Sequence, residues 1–320
     1  MAHPVSLSLV RSPFTGPIMD GTEPVPGIEF IVNDAQSVNR NSQEMLNGRY
    51  DIAEMSIATY FKAREDGMPF VGIPVFTGRR FVHAGIHTRP GAGIESPADL
   101  AGKRVAIPQY WMTSSVWHRV FLSHEYGIAA GQIAWVTTHP ERLKSAGYPA
   151  GVDVTLREGR LPGELLAEGN VDAVMVPKRG GRLMAGAEYE TPFHDVVAAQ
   201  RGSFDRTGVF PIMHFVVMRG ALADQWPDLP GRLFKAFASA KGDAIAAPSG
   251  LDGMEEPVWG ETTEAALPMF GGDPWPYGLA ANRRTLQVFR KCLIEQGLIK
   301  EPMALDDLFA PGCGAMEAAG

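Results

Sequence analysis

Cysteine is scarce: Cys292 and Cys313 are the 2 cysteines of 320 residues, at a spacing that fits neither a zinc module nor a thioredoxin motif. That excludes a disulfide scaffold and a cysteine-rich metal domain. Positive charge is also in short supply, with 29 Lys and Arg against 36 Asp and Glu and a formal net charge of −7. A chain without a basic field is not built to follow a phosphate backbone, so nucleic acid is excluded as a general partner. No apolar run approaches the roughly 18 to 20 residues of a membrane helix. The first residues lack a basic segment followed by an apolar one and a small-residue cleavage site, which predicts a cytoplasmic protein. Several motifs are absent too: the Gly-x-x-x-x-Gly-Lys-Ser/Thr phosphate loop, a helix-opening Gly-x-Gly-x-x-Gly, His-Glu-x-x-His and Gly-x-Ser-x-Gly. ATP hydrolysis, nicotinamide hydride transfer and esterase chemistry lose their footing with them.

What is present is globular. Hydrophobic residues make up 45% and charged ones 20%, and 320 residues exceed what one core usually holds, so two lobes are expected. Short apolar runs alternate with helical patterns, the signature of an α/β chain with largely parallel sheets. Strands are predicted at 5–10, 28–32, 51–54, 70–76 and 82–88, and again at 104–107, 133–137, 152–157, 171–176 and 214–218. Helices are predicted at 42–47, 57–63, 113–126, 161–168, 229–246 and 282–296. Pro74 marks its strand as an edge or a bulge. The order suggests a crossing at about 88–91 and a return near 208–214. Lobe I would then be 1–88 plus 212–320 and lobe II 89–211, with a cleft between them.

Polar segments cluster at predicted strand ends. Asp51-Ile52-Ala53-Glu54-Met55-Ser56 runs from a strand straight into a helix, and the segment through Pro108-Gln109-Tyr110-Trp111-Met112-Thr113 does the same in the second unit. Two helix N-termini facing one cleft would receive a dicarboxylate, while Ser56 or Thr113 taken alone also reads as a plain N-cap. In Gly78-Arg79-Arg80-Phe81-Val82-His83, strand alternation would put Arg79, Phe81 and His83 on one face. Arg206 and His214 bracket an apolar turn at the return crossing, and Asp273-Pro274-Trp275-Pro276-Tyr277-Gly278 either lids the cleft or packs helices. The histidines form no metal-binding pattern, although a divalent ion gathered from Glu54, His83 and His214 stays open.

These phrases, with Phe70-Val71-Gly72-Ile73-Pro74-Val75-Phe76 and Asn282, resemble the 4,5-dihydroxyphthalate decarboxylase family from residue 48 to residue 311. The resemblance implies a two-lobed fold like that of type II periplasmic binding proteins, with a central interlobe cleft. The phrase Ser96-Pro97-Ala98-Asp99-Leu100 belongs to that wider superfamily and does not separate an enzyme from a binder. One departure is the end of the first strand, Val10-Arg11-Ser12-Pro13, where the family pattern is richer in Asp, His and Arg. It leaves the ring substitution of the substrate open.

The implied reaction is non-oxidative loss of carbon dioxide from a hydroxylated aromatic dicarboxylate, 4,5-dihydroxyphthalate to protocatechuate. It needs a base for the phenol, an acid at the ring carbon and cations for the remaining carboxylate. On that reading His83 and His214 form the acid–base pair, with Glu54 as the alternative base. Arg11, Arg79 and Arg206 hold carboxylates, and Phe81, Trp111 and Tyr277 flank the ring. Ser56, Gln109, Thr113 and Thr207 complete the binding set. No organic cofactor is called for, because the phenol is its own electron sink. The rivals are a small-acid binding protein without catalysis and a metal-dependent lyase or hydrolase on a related phenolic acid. A homo-oligomer is compatible with either.

Overall fold

Apolar alternation in Val5, Leu7 and Leu9 starts the first strand of a computed structural model that describes residues 3–35, 37–177, 181–247, 250–300 and 303–311. Cys313 lies outside these residues. The first half runs β1 (His3–Leu9), α1 (Gly16–Met19), β2 (Ile28–Asp34), α2 (Val38–Leu46), β3 (Ile52–Ser56), α3 (Ile57–Glu65) and β4 (Phe70–Arg79). A 3-10 turn at His83–Gly85 leads into β5 (Ile86–Thr88), β6 (Arg104–Ile107), α4 (Thr113–Tyr126), β7 (Ala134–Thr137), β8 (Val154–Leu156), α5 (Pro162–Ala167) and β9 (Ala173–Met175). The rest is α6 (Val196–Thr207), β10 (Ile212–Arg219), α7 (Gly220–Gln225), α8 (Leu229–Ala246), α9 (Thr263–Ala266) and α10 (Leu279–Glu295).

The strands form two sheets of a two-lobed α/β fold. The first has the order β2-β1-β3-β10-β4 and the second β5-β9-β6-β7-β8. Pairing is parallel within β2-β1-β3 and within β9-β6-β7-β8, and antiparallel where β10 joins β3 and β4 and where β5 joins β9. Pro74 sits in the edge strand β4, where a missing N–H is tolerated.

Strand β10 shows why the two lobes share a core. Val216 and Met218 face α8 on one side of the sheet, and Phe215 and Val217 face the other. That second side is continuous with Ile107 and Trp135 of the second sheet, through Phe61 of α3, Trp117 of α4 and Phe289 of α10.

Two expectations about order change. The predicted strand 82–88 is a 3-10 turn followed by three strand residues, and β5 already pairs in the second sheet. The chain therefore crosses between Arg79 and Ile86, ahead of the expected 88–91. Gly85 explains the tight turn: its N–H bonds the Val82 carbonyl, and a Cβ there would lie 2.1 Å from the Val176 carbonyl oxygen. Helix α6 lies between 176 and 214, where no helix is predicted; it begins at an Asp195 cap whose side chain accepts from Ala198 N–H and ends at Gly208.

Candidate active site

A cavity of about 500 Å³ opens where the C-terminal end of β3, the end of β4 and the start of β10 face the N-terminus of α4. Glu54, Ser56, Arg79, Thr113 and His214 line it, with Thr77, Arg80 and Ser114. Register places them together. His214 stands opposite Ser56 on one neighbouring strand and opposite Gly78 on the other. Gly78 is required there, because a Cβ would lie 2.7 Å from the His214 imidazole.

Glu54 is buried and held at both oxygens. Thr77 Oγ1 donates to Oε1 at 2.6 Å and Val10 N–H donates to Oε2 at 3.1 Å. Burial raises its pKa above the ordinary 4.5, against the lowering effect of those two bonds and of Arg80. His214 Nδ1 is 3.7 Å from Glu54 Oε1, so the two titratable groups share one corner of the cavity.

Arg79 is the buried cation of the site. Its guanidinium donates to the Phe210 and Pro276 carbonyls at 3.3 and 3.5 Å and lies near the Phe76 and Phe210 rings. No carboxylate among the described residues is within ion-pair distance of it, and burial lowers its pKa to about 9. A positive group so placed draws an anion into the cavity. Arg80 is committed to Glu255 at 3.0 Å.

The two helix N-termini meet directly. Ser56 and Thr113 hydroxyls are 2.7 Å apart, and Thr113 Oγ1 also accepts from Ala58 N–H in the first turn of α3. The Ser56 side chain does not cap its own helix; Thr113 does so from the other lobe. The buried Ser114 Oγ, at the start of α4, has no hydrogen-bond partner among the described residues.

Other expected site residues lie elsewhere. Arg11 borders the cavity, but its guanidinium is exposed and paired with Asp20 and Asp34 at 2.9 Å. Gln109 and Trp111 sit in a turn clasping Glu141, which accepts from Tyr110 and Trp111 N–H, while their side chains donate to the Pro140 and Gly147 carbonyls. Tyr277 is buried behind the wall under Lys241 Nζ; its neighbour Trp275 reaches the cavity instead.

Phe81, His83, Arg206 and Thr207 line a second, smaller cavity of about 270 Å³ with Trp117 and Phe121. The cause is the end of β4 at Arg79: past it the chain no longer alternates, so Arg79 and His83 do not share a face. His83 packs on Phe121, Phe193 and Phe81, and burial lowers its pKa to about 3, so it is neutral. Arg206 pairs with Glu125, and Thr207 Oγ1 donates to the Ser203 carbonyl. The three-ligand metal set Glu54, His83 and His214 therefore does not assemble.

Sequence reading passed over Thr77 and Ser114. Thr77 stands between two segments it had singled out and Ser114 inside a third, and the step from strand to helix was the available signal.

Residues 16–145 match a family described as the periplasmic substrate-binding protein of a phosphonate ABC transporter. A 4,5-dihydroxyphthalate decarboxylase of Comamonas testosteroni is 34% identical over 307 residues, covering 92% of each chain. Among solved structures, the periplasmic aliphatic sulphonate binding protein SsuA of Escherichia coli superposes with a TM-score of 0.56 at 13% identity, over 99% of this chain and 100% of that one. The desulfurization enzyme DSZB superposes with 0.54 at 18% identity, over 97% and 98%. Both of these likenesses speak to the fold alone.

Proposed function

The chain belongs to the 4,5-dihydroxyphthalate decarboxylase family, and from that premise we propose that it removes one carboxylate, as carbon dioxide, from a hydroxylated aromatic dicarboxylate. 4,5-Dihydroxyphthalate going to protocatechuate is the reaction that fits. The observation that carries this reading is the corner where Glu54 and His214 stand 3.7 Å apart beside the buried cation Arg79.

The chemistry divides among those groups. A base takes the phenolic proton, and the phenolate pushes electron density to the para carbon that bears the carboxylate. An acid protonates that carbon. The carbon–carbon bond then breaks, its electron pair returns to the ring, and carbon dioxide leaves. Glu54 suits the base, since burial raises its pKa above the ordinary carboxylate value and makes the carboxylate a stronger proton acceptor, and His214 suits the acid. His83, neutral in its own cavity, is replaced in the pair by Glu54. Arg79 anchors the carboxylate that stays, with Ser114 Oγ and the first turn of α4 across the cavity. Arg11 would act from the rim, after exchange with Asp20 or Asp34.

The lobe division remains part of the proposal: 1–88 with 212–320, and 89–211, amended so that 86–88 travels with the second lobe. Strand membership supports it. A cytoplasmic location is also proposed. No helix among the described residues is long and apolar enough to cross a membrane.

The test is a panel of hydroxylated phthalates and benzoates incubated with purified protein in D2O. The expected result is carbon dioxide release from a dihydroxyphthalate, with one deuterium at the ring carbon vacated. Arg79→Met should lower kcat/KM by about 10- to 100-fold, the worth of one charge-assisted bond. Capture of the acid without gas release would leave a binding protein and overturn the reading.

A further inference from the structure

Helices α4 and α10 pack against each other, and three metal-ligating side chains converge toward the C-terminal end of α4, the end opposite the Thr113 turn that faces Glu54 and His214 in the catalytic reading. His124 lies in the last turn of α4. Cys292 and Glu295, three residues apart, share one face of α10. Cys292 Sγ is 3.4 Å from His124 Nε2, and that nitrogen is 4.0 Å from Glu295 Oε2. A donor atom from each residue lies within 4.8 Å of the other two.

We propose that His124, Cys292 and Glu295 form a site for a zinc-class divalent ion that ties α4 to α10. Ligand atoms around tetrahedral zinc, at about 2.3 Å for sulfur and about 2.0 Å for nitrogen, stand about 3.5 Å apart. The sulfur–nitrogen pair is already at that separation. The oxygen closes the remainder by a rotation of Glu295, whose side chain is exposed. Lys291 Nζ, 3.5 Å from Oε1, leaves Oε2 as the oxygen turned toward the imidazole. A thiolate with an imidazole selects zinc-class ions over magnesium or calcium, which favour oxygen ligands. Three protein ligands leave a fourth position for water.

The thiol must lose its proton to bind. Burial, reinforced by the negative charge of Glu295, pushes its pKa up to about 12. Binding therefore releases a proton and strengthens as pH rises. His124 also lines the smaller cavity, so the ion would sit at its edge.

The test uses the full chain carrying Cys313→Ser, which leaves Cys292 as its single thiol. One equivalent of cobalt(II) should produce a near-ultraviolet thiolate-to-metal band and tetrahedral visible bands, both bleached by zinc. Cys292→Ser and His124→Phe should abolish the bands, and Glu295→Gln should weaken binding at least about tenfold. Absence of the bands in the parent protein at excess cobalt would overturn the proposal whatever the variants do. Their persistence in Cys292→Ser or His124→Phe would overturn it too.

Discussion

Glu54 pays in stability for the place it occupies. Its carboxyl is buried between strands, and two donated hydrogen bonds do not offset the lost solvation, so its folded pKa stands above the ordinary 4.5. As pH rises the unfolded chain gives up this proton first. Stability is therefore fully present below about 4.5 and declines until the folded value is passed. Glu54→Gln has no such decline. Urea midpoints should shift in favour of the variant as pH rises above about 4.5. A constant difference between the two would refute the raised pKa. At this scale much was legible: Glu54, Ser56 and Thr113 stood out as polar residues at strand-to-helix junctions, and His214 as a titratable group beside a crossing. Arg79 and His83 were joined wrongly. An alternating reading assumes that a strand continues, and the close approach of Gly85 to Val176, which ends the alternation, is a tertiary fact.

Among elements, α3 depends on the other lobe for its N-terminal cap. Thr113→Val removes the acceptor for Ala58 N–H and the partner of Ser56, and should cost about 1 to 2 kcal/mol in urea unfolding. Ser114→Ala, which deletes a hydroxyl with no partner among the described residues, should leave that stability unchanged or slightly higher. Equal losses in both variants would mean that the cap contributes nothing. Helix ends followed local chemistry wherever the signal was local: Gly127 closes α4 in a left-handed conformation, as its sequence predicts. Helix α2 starts four residues ahead of the predicted helix because the Ser37 side chain caps it, and its polar face hid the periodicity. Helix α6 was missed for a similar reason, since few of its residues are buried.

At the scale of the molecule, α/β alternation and chain length were enough to indicate two lobes, because parallel strands buried on both faces read as uninterrupted apolar runs. Which cavity each polar segment would enter was not legible, since that depends on where the chain changes sheet. The core between the lobes carries an acid-sensitive pair. His83 and His118 are buried and neutral, with pKa values lowered by burial to about 3 from the ordinary 6.5. On acidification the unfolded chain takes up these protons first, so the stability they contribute is present above 6.5 and lost as pH falls toward 3. His83→Phe, accommodated among Phe81, Phe121 and Phe193, should flatten the fall of the urea midpoint between about pH 6.5 and about pH 4. An unchanged slope would show that His83 titrates normally.

The Thr113 hydroxyl has one further consequence. The same oxygen fastens the halves together and satisfies the first turn of α3. Any separation of the halves would leave the Ala58 N–H without its acceptor, so relative movement of the lobes would be coupled to fraying in the first turn of α3.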